Sequence, residues 1–87
     1  MFKYQISVNL FSDKNINELK ESLNNIGENR QIFGNTWLTK SDLRPNQIQN
    51  IFSNALNKKD YYTVIEINNT TGSIVVLPQE TLDWFLN

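Results

Sequence analysis

The chain has no cysteine and no histidine. The first absence excludes a disulfide framework and a thiolate metal site. The second removes the commonest general base, the usual zinc ligand and the side chain that titrates near neutrality. Catalysis would have to rest on carboxylates, tyrosines, lysines or hydroxyls. Glycine and proline are scarce, at three and two, and no Gly/Pro-rich linker divides the chain. No apolar run is long enough to span a bilayer and no basic, apolar leader opens the sequence, so the expectation is a cytoplasmic protein with no membrane segment. A basic surplus is missing as well: eight Lys and Arg stand against nine Asp and Glu, for a net charge of -1. Dedicated nucleic-acid binders usually carry such a surplus, because phosphate neutralisation supplies much of their affinity.

What is present suffices for one core. Of the 87 residues, 39% are hydrophobic and 11% aromatic, so 1–87 reads as a single domain. Phe2, Tyr4, Ile6, Val8 and Leu10 alternate with Lys3, Gln5, Ser7 and Asn9, the period of a half-buried strand. Asn15 and Glu18 have the spacing of a capping box. Ile16, Leu19, Leu23 and Ile26 follow at helical spacing, and Gly27 suits a left-handed helix end. Arg30–Phe33 and Thr36–Lys40 flank Gly34-Asn35, a hairpin turn pair. Pro45 opens a second helix whose apolar stripe is Ile48, Ile51, Phe52, Ala55 and Leu56. Lys58 and Lys59 close it where the helix dipole favours positive charge. Tyr61–Ile67 reads as the last full strand, Asn68–Gly72 as a turn and Ser73–Val76 as a short edge strand. Pro78 then begins a brief helix carrying Leu82, Phe85 and Leu86.

The order β-α-β-β-α-β predicts an α+β, ferredoxin-like fold: a four-stranded antiparallel sheet with both helices on one face, plus the short C-terminal strand and helix. The apolar side of the first strand then meets the helices. Lys3, Gln5, Ser7 and Asn9 line the opposite face, which needs a cover, and dimerisation is a common one.

Four segments, "YQISVNL", "NTWLTKSDL", "YYTVIEI" and "LPQETLDWF", together resemble in order and length the small ferredoxin-like proteins around the CRISPR adaptation subunit (the second Cas protein) and virulence-associated protein D. The resemblance implies a homodimer joined through its sheets and a setting in the conflict between bacteria and mobile elements. Some members are metal-dependent endonucleases and others only structural partners. In the nuclease members an aspartate ends the first strand, and two copies face each other to hold a divalent metal. Asn9 stands at that position here. An aspartate pair brings two negative charges to Mg²⁺, whereas an asparagine carbonyl brings none and cannot act as a base. Asn9 thus reads as the polar end of a strand or as a degenerate metal position. Asp13 is the nearest carboxylate, either an ordinary loop or cap residue or the alternative catalytic and metal-binding one.

Three further groups are candidates. Lys40, Arg44, Lys58, Lys59 and Tyr61 are expected to converge at one end of the fold, as a basic and aromatic patch for single-stranded nucleic acid or as a plain solvated rim with Asp42 and Asp60 among its charges. Trp84 is a candidate partner anchor, and Ile74 and Val76 a strand edge open to pairing with a partner; Trp37 reads as core. Glu66 is the one acid within an apolar strand. Alternation expects it exposed; burial would raise its pKa. The functional expectation is a non-enzymatic binding or accessory protein, without a cofactor, that engages a partner protein or nucleic acid. The alternative is a Mg²⁺-dependent, toxin-like endoribonuclease.

Overall fold

The computed structural model describes residues 1–68 and 76–87. Along the chain lie β1 (Phe2–Asn9), a 3-10 turn (Asp13–Asn15), α1 (Ile16–Ile26), β2 (Glu28–Phe33), β3 (Thr36–Ser41), α2 (Pro45–Ala55), β4 (Tyr61–Glu66) and α3 (Gln79–Leu86). The strands form one antiparallel sheet in the order β2-β3-β1-β4. This is the ferredoxin-like β-α-β-β-α-β arrangement with a helix appended. None of the described helices is long and apolar enough to cross a membrane.

Register decides which side chains share a face. Tyr4 lies opposite Thr39 and Glu66, Ile6 opposite Trp37 and Val64, and Val8 opposite Tyr62. Leu19, Leu23 and Ile26 of α1 and Ile48 and Phe52 of α2 close over this face, burying Tyr4, Ile6, Val8 and Trp37 with them. Each large apolar side chain so buried contributes about 1.5–3 kcal/mol. The Phe52 ring meets that of Tyr62 at 4.9 Å.

Polar residues on the core side serve the end of α1, whose last carbonyls have no partner within the helix. The Asn29 amide donates to the Leu23 and Gly27 carbonyls, at 2.6 and 2.9 Å, while its oxygen accepts from the Thr39 hydroxyl at 2.7 Å. The Ser41 hydroxyl donates to the Ile26 carbonyl at 2.6 Å. Such pairing is what permits Thr39 and Ser41 to be buried.

Local chemistry departs from the sequence reading at two points. Gly27 is extended, with φ 166° and ψ -151°, so no left-handed cap forms. Glycine is needed there for space, because a Cβ would collide with the backbone carbonyl oxygen of Lys40. Nor does the Asn15–Glu18 box form: the Asn15 side chain makes no cap bond to α1 and turns to Asp60 instead. Pro45 does open α2, and the Gln47 side chain folds back to accept from the Arg44 N–H at 2.7 Å. Of the expected strand Ser73–Val76, all but Val76 lies outside the described residues; Val76 is exposed and belongs to no strand.

The second face of the sheet is half covered by the chain itself. Lys3 of β1, Leu38 and Lys40 of β3, and Glu28 and Arg30 of β2 share that face by register, and α3 lies across it. Phe85 and Leu38 are buried. Towards β4 the face stays open, with Tyr61, Thr63 and Ile65 exposed.

Candidate functional site

The end of the sheet where β1 stops and β4 begins carries Asn9, paired across the strands with Tyr61. Both are exposed on the open face, Tyr61 by 70%. Asp13 sits exposed in the 3-10 turn beyond. The acid that organises this end is Asp60, only 5% exposed. One carboxylate oxygen accepts from the Phe11 N–H at 2.7 Å. The other accepts from the Asn57 N–H and from the Asn15 side-chain amide, each at 2.8 Å. Burial pushes the Asp60 carboxyl up, but the N–H groups of Phe11 and Asn57 and the Asn15 amide outweigh it and hold the group below the usual carboxylate range. Asp60 therefore pins two loops to the sheet end, and both of its oxygens are engaged. Among the described residues, no three His, Cys, Asp or Glu side chains stand together where they would hold a metal ion.

Beside this hub, the Lys59 ammonium lies 4.7 Å over the ring of Phe11, which is 67% exposed. Neither the hub role of Asp60 nor the place of Phe11 beside the site was read from the sequence. The one signal was the run Asn57-Lys58-Lys59-Asp60, whose ends suit a turn; the Asp60 N–H does donate to the Asn57 carbonyl at 3.0 Å.

The basic residues do not converge. Lys58, Lys59 and Tyr61 stand at the Asn9 end, whereas Lys40 and Arg44 stand at the other, where β1 begins. The reason is the length of α2. Its 11 residues rise about 16 Å, so residues just before and just after it fall at opposite ends of the sheet.

Arg44 makes a bidentate pair with Glu66, at 2.8 and 3.2 Å, and its guanidinium lies 4.0 Å over the Phe2 ring. Glu66 faces the helices in register with Tyr4 and is half-buried, which corrects the exposed position expected from alternation. Hydrogen bonding to Arg44 holds its carboxyl below the usual range, with burial opposing in part, so no raised pKa arises. Solvent reaches both partners, which weakens the pair, but its bidentate geometry is the case in which an exposed ion pair still counts. Arg44→Met, which leaves Glu66 half-buried and unpaired, is expected to lower the thermal midpoint modestly, as a differential scanning melt would register.

Trp84 is half-buried against the sheet, its indole N–H donating to the Glu28 carboxylate at 3.3 Å. Trp37 is buried in the core. Ile74 lies outside the described residues.

No protein-family model and no curated protein matches the chain. Among solved structures, the fold is similar to the crystal structure of a hypothetical protein from Thermus thermophilus. The TM-score is 0.62 at 14% identity, covering 88% of this chain and 94% of that one. At that identity the likeness is one of fold.

Proposed function

We propose that the protein is a non-enzymatic binding or accessory protein of the type represented by the CRISPR adaptation subunit and virulence-associated protein D. In this reading it is cytoplasmic and engages a partner protein or nucleic acid in the conflict between a host and mobile elements. One observation carries the non-enzymatic part. At the sheet end where the resemblance would put a metal-binding aspartate stands Asn9, and the nearby buried acid, Asp60, spends both oxygens on three donors. An uncharged amide and a buried carboxylate already holding three donors are a poor set for Mg²⁺, which binds through charged oxygens and keeps several waters.

The chain acts as a homodimer in this reading. The open strip of Tyr61, Thr63 and Ile65 is available to a second copy, and a dimeric mass in light scattering at tens of micromolar is the expected result; a monomeric mass defeats that part.

The catalytic alternative is tested by incubating labelled single-stranded RNA with the protein in Mg²⁺, in Mn²⁺ and in EDTA, beside the Asn9→Asp variant. The wild type is expected to leave the RNA intact. Cleavage by Asn9→Asp alone would mark Asn9 as a lost metal position, and cleavage by neither leaves it the polar end of a strand. Metal-dependent cleavage by the wild type that disappears in Asp13→Ala would establish the endoribonuclease instead.

A further inference from the structure

Three cations meet beneath α3 with a single acid, Glu28, among them, and among the described residues none of the three is in an ion pair within 4 Å. Lys3 and Lys40 are directly opposed on neighbouring strands, and Arg30 stands on the same face one strand further on. Like charges at directly opposed positions repel, and the ordinary remedy is a carboxylate among them. Glu28 lies opposite Lys40 in register and sets one negative charge against three positive ones, while its carboxylate also accepts from the Trp84 indole N–H. Among the described residues the ion pair within 4 Å is Arg44 with Glu66, at the neighbouring corner.

What faces the cations is α3. Arg30 and Lys40 lie 4.8 and 5.2 Å from the centre of the Trp84 ring. Lys3 lies 6.0 Å from that of Phe85 and donates to the Leu86 carbonyl at 3.1 Å. Aromatic faces and one carbonyl attract cations, but they carry no net charge to cancel them. The helix that brings them has eight residues, too few to be stable in water by itself. Its hold on the sheet is the buried Phe85 and these contacts. A cluster of three cations kept with one counter-charge is the kind of local inconsistency that marks a binding site.

We propose that Lys3, Arg30 and Lys40 form an anion site for a chain of phosphates, with α3 as its removable cover. Phosphates neutralise the three cations and release the Trp84 ring from Arg30 and Lys40. The inference goes beyond the function proposed above and does not depend on it, since the site lies at the other end and concerns no metal.

The test uses the full chain in a Trp37→Phe background, where indole emission comes from Trp84 alone. Inorganic polyphosphate is titrated in one arm and a labelled single-stranded oligonucleotide in the other. A saturable red shift is expected, weakening with salt at a log–log slope of about -2 for three single-strand phosphate contacts. A response to polyphosphate alone assigns a free phosphate chain, and a response to both assigns the nucleic-acid backbone. Lys40→Met, which keeps the stem and removes the charge, is expected to weaken binding about tenfold as a charge-assisted contact is lost. Lys40→Arg should bind like the parent. In the otherwise wild-type chain, Trp84→Ala loosens the cover, so fluorescence anisotropy with whichever labelled chain binds should show tighter binding. The proposal fails if neither probe moves Trp84 emission, if Lys40→Met responds like the parent, or if Trp84→Ala binds more weakly.

Discussion

Asp60→Ala is expected to lower the unfolding free energy by roughly 3–4 kcal/mol, because hydrogen bonds to a charged group are among the stronger ones and their loss strands buried donors. The donors are the Phe11 and Asn57 N–H groups and the Asn15 amide. They come from two loops, so the loss is felt at both. Urea denaturation followed by circular dichroism measures it. Asp60→Asn keeps the shape but turns an NH₂ group towards at least one donor, and should fall between the wild type and alanine. The same group sets a pH dependence. The folded carboxyl lies below its ordinary value, so the unfolded chain binds more protons in acid and stability rises with pH there. The contribution is complete above about pH 4, the ordinary aspartate value, and is lost as pH falls through the depressed folded value. Glu66, also depressed, acts with the same sign. Thermal midpoints measured from pH 6 down to pH 2 should therefore fall more steeply for the wild type than for Asp60→Ala.

Gly27→Ala is expected to cost about 3 kcal/mol, the upper part of the usual range for forcing atoms into a packed site. The obstacle is the Lys40 carbonyl oxygen, part of the backbone of β3 and unable to swing aside like a side chain. Relief requires α1 and β2 to move away from β3, against the Asn29 and Ser41 hydrogen bonds that join the end of α1 to these strands. For a domain of this size the thermal midpoint should drop by roughly 12 °C or more. An ordinary helix-ending glycine in the left-handed region would respond differently to Gly27→Asn, since asparagine tolerates that conformation. Here asparagine should be at least as damaging as alanine, because the fault is the Cβ.

These two residues show where sequence reasoning stops. The alternation from Phe2 to Leu10 and the helical spacing of Leu19, Leu23 and Ile26 report burial along one element, and local pattern was enough to place β1, α1, α2, β4 and α3. Contacts between distant residues leave no such period. Gly27 looks like a helix stop whether its neighbour is water or the carbonyl of Lys40, and Asp60 looks like a turn residue whether its oxygens face solvent or three donors. The basic patch illustrates a further step. The residue types were legible, but bringing Lys40, Arg44, Lys58 and Lys59 together ignored the span of α2, which separates them. For the second face, the sequence offers dimerisation as a common cover and does not place α3 there, because the eight residues of that helix carry no sign of the sheet they will lie on.

Paramagnetic broadening by Mn²⁺ in a ¹H–¹⁵N correlation spectrum of the wild-type protein tests most directly whether the Asn9 end of the sheet is a metal centre. If Asp60 is spent on backbone and amide donors and Asn9 brings no charge, the amides of Asn9, Phe11, Asp13 and Tyr61 should broaden no more than those around other exposed acids. Saturable broadening confined to those four amides at sub-millimolar Mn²⁺ would contradict the account and restore a metal-dependent reaction at the head of the sheet.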